Sequence, residues 1–296
     1  KPEWLTIPAP STAELDRMKK MLDQGHLHTV CEGAECPNIG ECFASKTCTF
    51  MILGDICTRN CRFCAVRHGR PAVVDTNEPL QIALTAKKLG LKHVVITTVT
   101  RDDLPDGGAG QFVAVIKNLR NQLPQTTVEV LISDLRGSTE SLMEIINARP
   151  DVINHNVETV PRLYHQARPQ AVYSRSLKLL KRVSQAGNGI CTKSGMMLGL
   201  GETRAEIIRV MNDLLDAGCE ILTLGQYLRP SSEHLPVVSY IHPDEFKELK
   251  EFALKMGFLA VSSGPLVRSS YNAVQMFAEV RLRKQKQKGS VVYGQS

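Results

Sequence analysis

Apolar segments of strand length alternate with segments of helical period from about residue 50 onward, and few folds accommodate such an alternation. Strands that alternate with helices at this spacing are typical of α/β proteins with a parallel sheet and right-handed crossovers. Six strand–helix units precede the last strand, so the sequence predicts a partial (β/α)6 TIM-like barrel. An open doubly wound sheet is the alternative, but no Gly-x-Gly-x-x-Gly fingerprint follows a predicted strand. The predicted strands are Phe50–Leu53, His93–Thr98, Val128–Ile132, Val152–Val157, Ile190–Leu198, Ile221–Leu224 and Leu259–Val261.

Local signals mark the ends of the intervening helices. Thr203 with Glu206 predicts a capping box, and Pro243 predicts a helix start. The glycines that predict helix ends are Gly90, Gly187, Gly218 and Gly257. A short helix is also predicted near residues 11–22, whereas the glycines and proline of residues 31–48 predict loop rather than helix.

The nine cysteines are unevenly distributed along the 296 residues. A disulfide scaffold is short and secreted, whereas clustered cysteines in a long chain predict metal ligation in a reducing compartment. The cysteines form the groups Cys31/Cys36/Cys42, Cys48, Cys57/Cys61/Cys64, Cys191 and Cys219. The last two fit helix–strand packing, because a free cysteine behaves as a small hydrophobic residue.

Composition excludes some classes of protein. The formal charge is +6, with one tryptophan and few other aromatic residues, which argues against a dedicated binder of single-stranded nucleic acid. No apolar run reaches the length of a membrane span, and residues 1–30 contain no hydrophobic signal core, so no membrane partner is predicted. The predicted location is cytoplasmic, or an organelle matrix or stroma if a targeting segment was removed ahead of Lys1. An acidic protein partner or an anionic substrate is compatible with the positive charge.

Cys57, Cys61 and Cys64 form a C-x3-C-x2-C motif in one short loop. That spacing lets three thiolates face one soft metal centre, but no further cysteine follows Cys64 for more than a hundred residues. A structural zinc site normally has four protein ligands, whereas an iron–sulfur cluster can keep one iron open for a small molecule. The motif directly follows the first predicted strand, and chemistry in barrels gathers at the carboxyl ends of strands. The pattern, with Phe63 before the last cysteine, resembles the radical S-adenosylmethionine (radical SAM) superfamily.

Cys31, Cys36 and Cys42 form a second motif, C-x4-C-x5-C, and the resemblance becomes more specific with it. Both motifs together with Arg268-Ser269-Ser270-Tyr271 resemble the lipoyl synthase family. The resemblance covers essentially the whole chain, including the segments 101–108, 155–159, 193–195 and 199–202. No metal position departs from the family pattern.

The resemblance implies insertion of two sulfur atoms, at C6 and C8, into an octanoyl group carried on a lysine of a carrier protein. It implies two 4Fe–4S clusters, and SAM as a cosubstrate that is cleaved to a 5′-deoxyadenosyl radical. The auxiliary cluster is the implied sulfur donor. An unactivated alkyl C–H bond has no proton that a tuned side chain could remove, so a cofactor-derived radical suits this reaction. The implied carriers are lipoyl domains of 2-oxoacid dehydrogenase E2 subunits and the glycine cleavage H protein, and reduced ferredoxin or flavodoxin is the implied electron donor.

Several polar residues and glycines at strand ends are candidates for binding SAM. Asn156 and Glu158 alternate on a predicted strand and could bond the ribose hydroxyls, although ordinary polar residues of a barrel mouth would look the same. Lys193 could meet the SAM carboxylate or a cluster, or be a surface lysine. The remaining candidates are Asp102 and Asp103, where the superfamily often binds the SAM amino group, and Gly199 and Gly201, which let backbone approach a ligand closely or form a simple turn.

The fourth ligand of the auxiliary cluster has two candidates. Spacing alone favours Cys48, a thiolate like the other ligands. The family resemblance implies Ser270 instead, which would close the C-terminal segment over the active site. An alkoxide is a poorer ligand for iron than a thiolate. A poorer ligand is an advantage in a cluster that must be dismantled. Cys48 is then predicted to be a buried thiol beside the first strand.

Three segments are predicted: an extension at residues 1–48 with the auxiliary ligands, the barrel at 49–263, and a C-terminal extension at 264–296. The basic run that includes Arg281, Arg283 and Lys284 could help to dock an acidic carrier, or could belong to a solvated and frayed end. Two other functional hypotheses remain at this point. One is a radical SAM enzyme whose auxiliary cluster only relays electrons, and the other is a non-enzymatic iron–sulfur or zinc protein.

Overall fold

The computed structural model describes residues 2–6, 12–34, 36–44 and 49–292. The strands are β1 (His28–Thr29), β2 (Thr49–Ile52), β3 (Ile56–Cys57), β4 (Arg67–His68), β5 (His93–Thr98), β6 (Thr127–Leu131), β7 (Val152–Asn154), β8 (Cys191–Leu198), β9 (Ile221–Gln226) and β10 (Ala260–Gly264). The α-helices are α1 (Thr12–Gln24), α2 (Val30–Gly33), α3 (Ile39–Ala44), α4 (Glu78–Leu89), α5 (Ala109–Gln122), α6 (Thr139–Asn147), α7 (Tyr164–Ala167), α8 (Tyr173–Gln185), α9 (Arg204–Asp216), α10 (Pro243–Met256) and α11 (Ala273–Val292).

Seven strands form a parallel sheet in chain order, namely β2 and then β5 to β10. At least one helix joins each of these strands to the next, which gives six strand–helix units before β10. β1 pairs antiparallel with β2, so β1 and β10 stand at opposite ends of the strand order. The predicted partial (β/α)6 barrel is confirmed.

The two faces of the parallel strands pack against different elements, because successive side chains of a strand point to opposite sides. On the outer face, Val94 and Ile96 of β5 join Phe112 of α5 in a core of strands and helices. The inner residues of four strands instead pack against Met276 and Val280 of α11. These residues are Val152, Cys191, Ile221 and Ala260.

Each of these four inner residues is the first of its strand, so α11 closes the end of the barrel at which the strands begin. Lys284 of α11 also pairs with Glu220, immediately before β9, at an Nζ–Oε1 distance of 2.6 Å. The opposite end, where the strands finish, is therefore the open mouth.

The predicted helix signals are confirmed. Thr203 and Glu206 form the capping box of α9, and Pro243 is the first residue of α10. Gly90, which follows α4, has a φ of 69°, a left-handed conformation that glycine adopts without steric cost.

Two predictions about local structure are wrong. The strand predicted over residues 152–157 ends at Asn154, and Glu158, whose backbone is left-handed with φ 67°, keeps only an isolated bridge to Met196. The segment predicted as loop contains α2 and α3, and Thr29 caps α2 by accepting a hydrogen bond from the Glu32 backbone N–H. The C-terminal end, predicted to be solvated and frayed, is helical to Val292 as part of α11, and residues 293–296 lie outside the described residues.

Within the described ranges, no helix combines the length and the apolar character that crossing a membrane requires.

Candidate active site

The loop that carries Cys57, Cys61 and Cys64 lies at the barrel mouth, directly after β2. Its flanks form a small parallel ladder, in which Ile56 pairs with Arg67 and Cys57 with His68. Two backbone N–H groups, of Arg59 and Thr100, donate to the Cys57 sulfur at 3.4 and 3.3 Å. Hydrogen bonds to cysteine sulfur are among the means by which a protein adjusts an iron–sulfur cluster.

Backbone bonds fasten this cysteine loop to segments that follow three other strands. After β5, the Thr58 N–H donates to the Thr100 carbonyl at 3.0 Å. After β7, the Arg62 N–H donates to the Ala167 carbonyl at 2.9 Å. After β9, the Leu235 N–H donates to the Arg62 carbonyl at 2.9 Å. The loop is thus held in place at the mouth by residues far away in sequence.

A buried ion network adds side-chain contacts to this attachment. The Arg59 guanidinium donates to Asp102 at 2.7 and 2.9 Å and to Asp134 at 2.6 Å. Asp134 also accepts from Arg175 of α8 at 3.0 Å. Although burial acts in the opposite direction, the bond and charge of Arg59 lower the pKa of Asp134 to about 2. The sequence alone does not reveal the pairing of Arg59 with Asp134, because 75 positions separate them.

Two thiols of the cysteine loop, those of Cys61 and Cys64, are largely desolvated. Burial raises the pKa of Cys64 to about 12, and the charges of Cys61 and Cys57 act in the same direction. Burial also raises the pKa of Cys61, against the opposing effect of Arg168. The predicted triad is therefore assembled in space. Thiolates become favourable in such a place when a metal supplies the compensating charge, so metal binding would release protons.

The second triad is assembled on α2, the turn after it, and α3. The Cys36 N–H donates to the Cys31 carbonyl at 3.0 Å, and the Cys42 N–H donates to the Asn38 carbonyl at 2.9 Å. Burial raises the pKa of Cys31 to about 12, and the charges of Cys36 and Cys42 raise it further. Burial likewise raises the pKa of Cys42 to about 11, again with a contribution from Cys36.

The C-terminal segment reaches the second triad across more than two hundred residues of sequence. Asn38 donates through Nδ2 to the Leu266 carbonyl at 2.7 Å, and the Tyr271 hydroxyl donates to Glu41 at 3.3 Å. Burial lowers the pKa of Arg268, and the charge of Cys36 opposes that shift. Ser270 is half-buried within this segment. The other predicted fourth ligand, Cys48, lies outside the described residues.

Asn156, Glu158 and Arg168 place polar groups beside the cysteine loop, at the carboxyl end of β7. Asn156 Oδ1 and Arg168 Nε are buried, and neither has a hydrogen-bond partner within the described part of the chain. Burial raises the pKa of Glu158, while Arg168 and Asn156 lower it. Arg168 donates to the carbonyls of Asn156 and Val157 at 2.9 and 3.3 Å. Arg168 is not among the residues predicted from the sequence, because it stands in a loop with no periodic pattern.

Lys193 lies inside the barrel and not at its mouth. Its side chain is fully buried, and Nζ donates to Glu129 of β6 at 2.8 Å. Despite burial, the charges of Lys193 and His93 hold the pKa of Glu129 below its usual value. A buried ammonium needs such a counterion, so the structure explains Lys193 without a contact to SAM.

Asp102 and Asp103 also have protein partners. Asp102 binds Arg59, and Asp103 accepts from Arg101 Nε and Nη2 at 2.9 and 2.8 Å. A contact of either carboxylate with SAM stays a prediction.

Gly199 and Gly201 have left-handed φ values of 102° and 103°. A Cβ on Gly199 would lie 2.3 Å from Gln226 Nε2 and 2.4 Å from the Ser239 carbonyl oxygen. Glycine is required here because the end of β9 and the segment after it come close to the backbone at this position. A further approach by SAM stays a prediction for both glycines.

His155 is a buried neutral imidazole beside the predicted SAM residues. Its Nδ1 lies 2.9 Å from the Ile132 carbonyl oxygen, and its Nε2 lies 2.8 Å from Ser176 Oγ. Burial, reinforced by the charge of Arg168, lowers the pKa of His155 from 6.5 to about 4. The imidazole therefore stays uncharged at neutral pH.

We expect this shift to make the cluster-free protein acid-sensitive. Above pH 6.5 the imidazole is neutral in both states and contributes no pH dependence. As pH falls from 6.5 to about 4, only the unfolded chain takes up the proton, so the free energy of unfolding should fall by about 3 kcal/mol. Urea unfolding across this range measures the effect, and His155→Gln should remove it. The same pH slope in the variant would contradict the assignment.

The residues present suit iron–sulfur clusters. Each triad supplies three cysteine thiols, and cysteine thiolates are the ligands that hold such clusters. The unpaired Asn156 oxygen and Arg168 N–H similarly suit the hydroxyl and carboxylate groups of SAM.

Comparison with known proteins first defines the class. The sequence model of the Radical SAM superfamily matches residues 51–214, more than half of the chain. SuiB of Streptococcus suis, solved with S-adenosylmethionine, has a TM-score of 0.58 at 11% identity, over 87% of this chain and 56% of that chain. The FeFe-hydrogenase maturase HydG from Carboxydothermus hydrogenoformans has a TM-score of 0.55 at 13% identity, over 90% of this chain and 78% of that chain. The fold and the sequence match place the chain in the radical SAM superfamily.

Curated sequences narrow this class to one family. The lipoyl synthase of Caldanaerobacter subterraneus subsp. tengcongensis is 56% identical over 92% of this chain and 95% of its own length. That of Methylococcus capsulatus is 55% identical over 94% of this chain and 87% of its own length. The chain belongs to the lipoyl synthase family, whose cofactors are SAM and two 4Fe–4S clusters.

Proposed function

We propose that the two cysteine triads have separate roles in the family's reaction. The chain is a sulfur-inserting radical SAM enzyme, and its substrate is a protein-bound octanoyl group. Cys57, Cys61 and Cys64 would hold the cluster that binds SAM, and the auxiliary cluster would rest on the second triad, Cys31, Cys36 and Cys42. When bound, these groups supply hydrogen-atom abstraction and the sulfur inserted at C6 and C8.

The contact between the C-terminal segment and the second triad is the observation that carries this proposal. A Cβ on Gly225, on the inner face of β9, would lie only 2.1 Å from the Val267 carbonyl oxygen. The segment therefore lies over the barrel mouth while it contacts α3 through Asn38 and Glu41. This supports a division of the chain into residues 1–48, 49–263 and 264–296, with the last closing the active site. Exclusion of water from the mouth would protect a reactive carbon centre.

Residues of the mouth would bind and orient SAM. Arg168 would face its carboxylate, since Nε is a buried donor with no partner in the described residues. Asn156 and Glu158 would accept from its hydroxyls. Arg59 contacts no reacting group in this proposal and acts as a positioning residue, through its bonds to Asp102 and Asp134.

The overall proposal is tested by anaerobic incubation of the reconstituted protein with SAM, a reductant and an octanoyl-lysine peptide. Mass analysis should show peptide that has gained two sulfur atoms. Loss of iron and sulfide from the auxiliary cluster during turnover would distinguish a sulfur donor from an electron relay. Zinc without acid-labile sulfide in the isolated protein, or an unmodified peptide, would contradict the proposal.

Ser270→Ala is expected to separate the two chemical roles. We expect the variant to release 5′-deoxyadenosine as the wild type does, because the ligands of the SAM cluster are intact. It should lose most of the lipoyl product, because the auxiliary cluster lacks the proposed oxygen ligand. Chromatography of the nucleoside and mass analysis of the peptide provide the two readouts.

Cys48→Ala is the matched control for Ser270→Ala, and it should affect neither readout. Lipoyl product at the normal rate from Ser270→Ala would overturn the assignment of Ser270. Loss of sulfur insertion in Cys48→Ala, or a structure with Cys48 on iron, would make Cys48 the ligand instead.

The proposed protein partners are octanoylated lipoyl domains of 2-oxoacid dehydrogenase E2 subunits and the glycine cleavage H protein. Reduced ferredoxin or flavodoxin is the proposed electron donor, and a reducing compartment such as the cytoplasm is the proposed location. The basic tail is poorly placed to dock these carriers, since Lys284 binds Glu220 at the closed end of the barrel. A carrier that delivers an octanoyl chain to the mouth must contact the opposite end.

A further inference from the structure

A basic groove lies beside the barrel mouth, between α6 and α8. Its cavity volume is about 320 Å³, and its walls include Gly137 and Ser138 before α6 and Arg175, Lys178 and Arg182 of α8. The two helices start after the carboxyl ends of β6 and β7. The groove therefore opens toward the end of the barrel that holds the cysteine loop.

Positive charge dominates this groove. The helix α8 contains four basic residues and no acidic one, as its sequence YSRSLKLLKRVSQ shows. Arg175 is neutralised by Asp134, the only acidic residue of the groove wall. Lys178 and Arg182 are exposed, and neither forms a salt bridge within the described part of the chain.

The acidic residues near the groove do not cancel its positive charge. Glu140 lies close enough to Arg182 for its pKa to be lowered slightly, but its main partners are its own backbone and Ser138. Asp213 and Asp216 share a separate hollow with Lys178 and Lys181, and Asp213 accepts a hydrogen bond from the Tyr173 hydroxyl. An anion in the groove would therefore face two cations that form no salt bridge within the described residues, although carboxylates lie near each of them.

The groove is connected to the cysteine loop by two ion pairs. Arg175 binds Asp134 at 3.0 Å, and Asp134 binds Arg59 of the cysteine loop at 2.6 Å. The basic residues of α11 lie instead at the closed end of the barrel. A protein that inserts a modified lysine into the mouth would thus bring its neighbouring surface over the groove.

We propose that this groove, formed by the start of α6 and the basic face of α8, binds carboxylate side chains of the octanoylated carrier protein. This inference rests on the proposed function, which requires a protein-bound substrate at the mouth. Carboxylates on the carrier surface beside the modified lysine complement Lys178 and Arg182 in charge. Such contacts mainly accelerate association and weaken with salt.

The test compares two substrates of the reconstituted full-length protein. One is an octanoylated carrier domain, and the other is a short, uncharged peptide that contains octanoyl-lysine. The double variant Lys178→Gln/Arg182→Gln should raise KM for the carrier about fivefold at low salt, because each lost surface pair is a modest contribution. Its kcat should be unchanged, and the peptide should react as with the wild type.

Arg281→Gln/Arg283→Gln removes the same charge from the closed end of the barrel and serves as the matched control. It should leave both substrates unaffected, and added salt should reduce the difference between wild type and the α8 variant. Equal KM values for the carrier in wild type and the α8 variant would overturn the proposal. So would inhibition by inorganic phosphate that is equally strong with carrier and peptide, which would indicate a small-anion site.

The result for the wild-type enzyme distinguishes failure of the docking proposal from failure of the proposed function. A wild-type enzyme that converts neither substrate would refute the function. A wild-type enzyme that converts both, with no effect of the α8 variant, would refute only the docking site.

Discussion

Cys61→Ala should release no detectable 5′-deoxyadenosine when incubated anaerobically with SAM and a reductant. Cys61 is the central thiol of the cysteine loop, and Cys64 beside it is desolvated in the same way. Two thiolates cannot replace three ligands of a cluster that must keep one iron open for SAM. Both nucleoside release and lipoyl product should therefore be lost together. The iron content should fall as well, and this readout does not depend on activity.

Cys219→Ala provides the matched control for this prediction. Cys219 is also a buried thiol, but it packs in the core between helices and strands and its Sγ lies 3.2 Å from the Ile221 carbonyl oxygen. We expect a loss of stability of about 1 kcal/mol from the smaller side chain, with nucleoside release at the wild-type level. Normal release of 5′-deoxyadenosine by Cys61→Ala would refute the assignment of the loop.

Arg59→Met is expected to lower the free energy of unfolding of the cluster-free protein by about 3–5 kcal/mol. The substitution leaves Asp134, whose side chain is fully buried, with only Arg175 as a charged partner. It also removes the bidentate contact with Asp102 that joins the cysteine loop to the segment after β5. A buried carboxylate that loses one of its two charged partners is only partly compensated, and this makes the loss of Arg59 costly. Urea unfolding without iron measures the effect directly.

Arg67→Met tests whether burial is the cause. Arg67 pairs with Asp55 near the same loop, but 71% of its side chain is exposed. An exposed pair contributes about 1 kcal/mol or less, so this variant should unfold almost as the wild type does. The double variant Arg59→Met/Asp134→Leu should recover part of the stability, since it removes the uncompensated charge. Equal losses from Arg59→Met and Arg67→Met would show that the buried network does not stabilise the mouth.

The structure shows protein partners for Asp102 and Lys193, two residues that the sequence suggested as contacts of SAM. Asp102 follows β5 at the mouth as expected, but Arg59 occupies both of its carboxylate oxygens. Lys193 lies on the expected strand, yet its side chain points into the barrel and reaches Glu129. Sequence position placed Asp102 near the correct strand end and Lys193 on the correct strand. It did not reveal that each has a protein partner, because those partners are 43 and 64 positions away.

The sequence by itself determined the features that depend on short-range geometry. Each cysteine triad is confined to one or two short segments, so its spacing alone indicates a shared metal centre. Helix ends such as the Thr203 and Glu206 capping box are likewise set within four residues. The repeated strand–helix pattern predicted the barrel, because parallel strands need a crossover between each pair.

Only the tertiary structure decided which distant segments meet at the mouth and at the opposite end. The charge interaction of Arg268 with Cys36 and the hydrogen bond of Tyr271 to Glu41 join residues more than two hundred positions apart, and α11 packs under the first residues of four strands. Arg59 with Asp134, and Arg168 beside the cysteine loop, are further contacts between segments that are distant in sequence. A buried charge needs a partner, and the tertiary fold determines which distant residue supplies it. No local pattern of apolar or charged residues specifies those partners.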